Sequence, residues 1–192
     1  MLFKLLILLS IATLAGPPIK PPVQKEGFKK FAMDNKLFTC LAPEKWEIAR
    51  NKEKESKEKI YGIELAGPRA DKAPVVIYVT FYSKQNKIFK DHNDFIERNS
   101  KDLFGGKGDG DERYGPVKNT LVNKLKAFHF ESETKEYLHP ESASEESVVV
   151  KEKFYVIPVK NGFYVLHYFA PKSVFLKHLP VFYKVASSFK TR

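Results

Sequence analysis

The densest hydrophobic pattern lies in residues 162–189, GFYVLHYFAPKSVFLKHLPVFYKVASSF. Phe163, Val165, His167 and Phe169 alternate with Tyr164, Leu166 and Tyr168, so a strand here is apolar on both faces and belongs in the middle of a sheet covered above and below. Ala170-Pro171 ends the strand and Ser173 is placed to cap a short turn. Leu179, Phe182, Ala186 and Phe189 then recur at helical spacing, with Pro180 in the first turn of the helix they predict.

The same reading extends to the rest of the chain. Phe38, Cys40, Trp46 and Ile48 alternate around Pro43-Glu44-Lys45, which predicts two short strands in a hairpin. Residues 51–59, NKEKESKEK, alternate in charge sign without an apolar anchor and read as a solvated loop. Residues 60–66 and 75–82 form a hairpin across the turn cluster at 67–71, with Val75, Ile77, Val79 and Phe81 on one face and Val76, Tyr78, Thr80 and Tyr82 on the other. Asp91 caps a helix with Asp94 as its reciprocal partner. Phe95, Ile96, Asn99 and Leu103 mark its inner stripe, and Gly105-Gly106 ends it. A long hairpin over residues 114–137 turns at Asn123-Lys124, and another joins the strand opened by Val148, Val150 and Glu152 to the central strand at Asn161-Gly162.

Composition adds a compartment. A chain of 192 residues holds one sizeable core, and MLFKLLILLSIATLAG at its start carries one lysine, an apolar run and a small-residue cleavage pattern. We therefore expect a signal peptide over residues 1–15, a Pro/Lys-rich linker over 16–30 and a single domain over 31–192, with an extracytoplasmic, periplasmic or secreted location. Cys40 is the sole cysteine, so the core holds the fold without an intrachain disulfide. The formal charge of +10 favours a protein partner, an anionic envelope surface or peripheral membrane contact through the lysines at 20–30. Along the chain as a whole, lysines are scattered among glutamates, a distribution that serves solubility equally well, and no nucleic-acid motif is present.

FTCLAPEKWEIA at residues 38–49, the turn after Leu121, and GFYVLHYFAP followed by FLKHLPVFYKVASSF together resemble the Mog1/PsbP-like family over roughly residues 31–190. The opening phrase is similar to that family's aromatic-x-x-x-x-Pro-x-x-Trp start. Asn123-Lys124 departs from the Asn-Gly often found at its hairpin, so Lys124 must accept a backbone suited to glycine. The resemblance implies an α+β fold, an antiparallel β-sheet flanked by helices in an α/β/α sandwich. It also implies a non-enzymatic accessory role; no cofactor is expected, apart from the divalent cation considered below.

Candidate chemistry is sparse. Cys40 becomes a nucleophile only beside a base, and its place between Phe38 and Trp46 reads instead as a small buried side chain. His167 shares its strand face with Phe163, Val165 and Phe169, which suits a hydrogen-bonded core histidine. Asp109, Asp111 and Glu112 in a Gly-rich loop offer oxygen ligands for a divalent cation such as calcium, without EF-hand spacing. His139, Glu141, Glu145 and Glu146 form a similar loose set, and loop solvation explains both. Residues 105–110 lack the order of a phosphate cradle, and hydrolase motifs are absent. The expected function is an exported binding or assembly module acting through protein or envelope-surface contacts. The alternative is a small-ligand or divalent-metal-binding protein, or a hydrolase with a site in the sheet's concavity, which a deep pocket lined by His167 and carboxylates would favour.

Overall fold

The computed structural model describes residues 26–102, 104–108, 110–139, 141–142 and 144–191. The expected signal peptide and most of the expected linker fall outside them. The first strand, β1 (Phe28–Ala32), begins three residues ahead of Phe31 and pairs with β2 (Phe38–Pro43). The chain then turns a corner at Glu44-Lys45-Trp46 into β3 (Glu47–Ala49), which pairs with a different sheet, so β2 and β3 are not the hairpin that their alternation predicts. Trp46 explains the corner: its indole is buried against Gly67, where a Cβ would stand 2.7 Å from the ring.

Residues 51–59 also differ from expectation, since Lys52–Glu58 form a short helix, α1. Asn51 Oδ1 accepts from Lys54 N at 2.9 Å, Lys57 pairs with Glu53 one turn away, and Lys59 closes the helix with φ 57°. Local caps and ion pairs suffice for two turns without a buried residue.

The hairpin of β4 (Ile60–Ala70) and β5 (Ala73–Ser83) turns at Asp71-Lys72, both at positive φ. Helix α2 (His92–Asn99) follows, with Asp91 Oδ1 accepting from Asn93 N and Asp94 N, while Asp94 Oδ2 accepts from Lys90 N. It stops at Ser100, short of the Gly105-Gly106 expected to end it, and Leu103 lies outside the described residues. Beyond the helix, Asp102 organises the loop by accepting from the amides of Phe104 and Gly106 at 2.8 and 2.7 Å.

Strands β6 (Glu112–Tyr114) and β7 (Lys118–Val122) both pair with β8 (Leu125–Tyr137). Their turn takes Asn123 and Lys124 to φ 45° and 71°, the strained lysine that the sequence implies, and Asn123 Nδ2 anchors it to Phe189 O at 2.8 Å. Strands β9 (Ser147–Val159) and β10 (Gly162–Pro171) meet through Lys160-Asn161. Gly162 is the first strand residue rather than half of the turn. Its φ of 145° and a Cβ position 2.0 Å from Tyr82 O put any other residue there under strain.

Helix α3 (Lys172–Ser188) and β11 (Lys190–Thr191) complete the chain. The helix starts directly after the strand, so Pro180 falls inside it and not in its first turn. It sits on the exposed side, where solvent reaches the Leu176 carbonyl that loses its donor.

The main sheet runs β3-β4-β5-β10-β9-β8-β6, antiparallel throughout, with β7 on the end of β8, and β1-β2-β11 form a second sheet. Central β10 sends Tyr164, Leu166 and Tyr168 into a large core with Phe175, Phe182, Val185 and Phe189 of the α3 end of the chain. Phe163 and Val165 point the other way, into a smaller core with Phe95 of α2, Phe130, Phe154 and Val156. Helices on both faces of an antiparallel sheet make this an α+β fold, an α/β/α sandwich.

Candidate functional site

The eight residues of α2 cover only part of their face of the sheet. Beside the helix, between α1, β4 and β5, a cleft of about 690 Å³ opens onto the sheet surface. Strand register determines its floor. Glu64 of β4 stands opposite Tyr78 of β5, Tyr78 opposite His167 of β10, His167 opposite Phe154 of β9, and Phe154 opposite Phe130 of β8. The four rings form one ladder across four strands, with centroid separations of 5.4, 4.1 and 4.6 Å and interplanar angles of 20°, 8° and 15°. Stacking of this kind on a twisted sheet fixes each ring by its neighbours.

His167 is half-buried and its Nε2 lies 2.5 Å from Glu152 Oε2. Glu152 also accepts from Ser132 Oγ at 3.4 Å through its other oxygen. The histidine is thus hydrogen-bonded, as its strand position implies, yet it lines a cleft and not a filled core. Burial raises the Tyr78 phenol above its ordinary pKa, and the negative charges of Glu64 and Glu152 add to that. An apolar end adjoins this polar floor: Tyr82 stacks on Phe163 at 4.8 Å and meets Phe89 edge-on at 5.4 Å, and Phe95 closes behind them. Burial pushes the Tyr82 phenol up to about 12.

The mouth carries Arg50, Lys52 and Lys54. Arg50 is committed within the protein, donating to Asp34 at 2.5 Å and through two nitrogens to Glu55 at 3.0 and 2.9 Å.

The residues singled out from the sequence scatter. Cys40 is buried on the α3 face, away from the cleft, and burial pushes its thiol up to about 12, so it is an unreactive core thiol. Asp111 accepts from Lys135 at 3.3 Å and Glu112 from the Tyr114 hydroxyl at 3.2 Å, while Asp109 lies outside the described residues. His139 and Glu146 meet at 3.2 Å, Glu146 also takes Lys72, and Glu141 and Glu145 are exposed. Among the described residues no group of three His, Cys, Asp or Glu side chains is placed to hold a metal ion. Among the described residues, only His167 of the expected set lines the cleft. Glu64, Tyr78 and Glu152 were missed, although a carboxylate between Val150 and Phe154 on an apolar strand face was a signal for Glu152.

No family model matches the sequence, and no curated protein does. Among solved structures the chain is similar to the cyanobacterial PsbP of Synechocystis sp. PCC 6803, at 10% identity and a TM-score of 0.49, over 91% of this chain and 98% of that one. It is also similar to a protein of Bacteroides thetaiotaomicron VPI-5482, at 11% identity and a TM-score of 0.48, over 85% of this chain and 48% of that one. A Pseudomonas aeruginosa protein of unknown function matches at 9% identity and a TM-score of 0.45, over 86% of this chain and 97% of that one. At such identities these likenesses concern the course of the backbone only.

Proposed function

We propose that the chain is an exported, non-enzymatic binding module of the PsbP-like type whose working surface is the cleft beside α2. The observation that carries this reading is the cleft itself, about 690 Å³ over a floor held by four hydrogen-bonded strands. Pockets of roughly 300–1,000 Å³ with mostly apolar walls and a few fixed polar groups are the usual seats of small ligands. Export rests on the N-terminal pattern, and the PsbP-like type on the phrases at 38–49 and 162–189.

A pocket lined by His167 and carboxylates is also what a hydrolase in the sheet's concavity would need. Binding is favoured over turnover because no thiol stands beside the His167–Glu152 pair: Cys40 lies on the other face of the sheet, and the His167 ring is stacked between Tyr78 and Phe154.

The test is native mass spectrometry of the mature chain after incubation with the low-molecular-mass fraction of its own envelope extract, with Thr80→Trp as a blocked control. Thr80 faces the cleft opposite Gly62, where an indole has room to lie. A bound small molecule in wild type, lost in the control, is expected. Chemical turnover of an extract component, abolished by the same substitution, would contradict the non-enzymatic reading. A salt-resistant macromolecular partner indifferent to Thr80→Trp would move the function to another surface.

A further inference from the structure

We infer that the cleft takes a small organic cation, an amine or guanidinium bearing an apolar group, held between Glu64 and the free face of Tyr78. The inference rests on the cleft's being a binding site, and adds the charge and shape of what it binds.

The ring ladder gives the reason. Tyr78 is its end member: His167 covers one ring face, and among the described residues no aromatic partner covers the face turned toward β4. Glu64 stands opposite on that side, half-buried, and has no hydrogen-bond or ion-pair partner among the described residues. A carboxylate facing the electron-rich face of a tyrosine is a pair of groups that a cation satisfies together, one by charge and one by the ring quadrupole. Gly62, next but one along β4, has no side chain to fill the neighbouring floor, and a Cβ there would stand 2.7 Å from Val79 O. Tyr82, Phe89 and Ile88 line the adjoining end for an apolar group.

The charge balance agrees. Glu64 and Glu152 both act on the Tyr78 phenol. Two carboxyl groups face one imidazole there, so acidic side chains outnumber basic ones on the floor. Lys52 and Lys54 at the mouth are exposed, where solvent and salt screen them, while Arg50 is already matched by two carboxylates. Groups at the half-buried floor act through a lower effective dielectric and decide the sign of the ligand. In a chain of formal charge +10 this is a local reversal, which also discriminates against anions that the surface as a whole would attract.

Three probes of one shape separate the possibilities: phenethylamine, phenylethanol and phenylpropionate, titrated into the labelled mature chain and followed by amide shifts and calorimetry. Phenethylamine should bind with shifts at Glu64, Tyr78 and Thr80, at least about tenfold more tightly than phenylethanol, with phenylpropionate weaker still. Glu64→Gln removes a charge from a side chain without hydrogen bonds among the described residues, so the fold is kept, and it should weaken the amine about tenfold while leaving the alcohol unchanged. Equal or tighter binding of the alcohol or the acid in the cleft would overturn the cation assignment and leave the cleft as a site. No cleft shifts from any probe would overturn both.

Discussion

The two faces of the main sheet carry the same kind of residues and end in different states. On one, seventeen residues of α3 and the β1-β2-β11 sheet close over Leu166, Tyr168 and Ile157. On the other, eight residues of α2 cover Phe154, Phe163 and Val165 but leave Tyr78, His167 and Thr80 at the bottom of a cleft. On the proposed reading, the difference in cover separates a face that holds the fold from a face that binds. A closed face gives stability, and an open face of rings and carboxylates forgoes burial that a longer helix would supply.

The contrast breaks most directly on the closed side. Phe182→Ala removes a fully buried ring stacked on Tyr155 and Tyr168, and should cost about 3–5 kcal/mol in denaturant titration. Gly162→Ala, at the hairpin shared by both faces, should cost about 1–3 kcal/mol from backbone strain, with the clash against Tyr82 O in addition.

Alkaline pH sharpens the comparison, because each face buries a group whose titration burial delays, Cys40 on the closed side and Tyr82 on the open one. The Cys40 thiol ionises at about 8.5 when unfolded and is held up to about 12 when folded. Its contribution is therefore complete below about pH 8.5 and is lost as pH rises toward 12, at about 1.4 kcal/mol per unit. Tyr82 behaves alike from about pH 10 upward, with the same upper limit of about 12. Cys40→Ala should flatten the stability profile from the lower pH and Tyr82→Phe only from the higher one, as read by chemical denaturation across that range.

A smaller effect separates the helices. Asp91→Ala removes the cap that accepts from Asn93 N and Asp94 N and should cost about 1 kcal/mol. Hydrogen exchange should quicken at Phe95 and Ile96 while α3 amides keep their protection.

Single elements were more legible in the sequence than the cleft that they build. Double-sided alternation at 163–169 marked β10 as central, and Asp91 with Asp94 marked the start of α2, because those signals are local. Pro180 misled, since a proline on a solvated helix side is tolerated wherever its freed carbonyl can be hydrated. The alternation of Phe38, Cys40, Trp46 and Ile48 misled as well, because a buried Trp46 corner can send two strands to different sheets. The cleft was illegible for a further reason. Glu64, Tyr78, His167 and Phe154 come from four strands, and only cross-strand register brings them into one row.

The most direct measurement of the central claim is residue-resolved amide-shift mapping of the labelled mature chain against the low-molecular-mass fraction of its own envelope extract. The open-face account expects shifts confined to Gly62, Glu64, Tyr78, Thr80 and His167, with exposed Leu176 and Tyr183 on α3 unmoved. Shifts centred on α3, or none on the cleft floor, would contradict it.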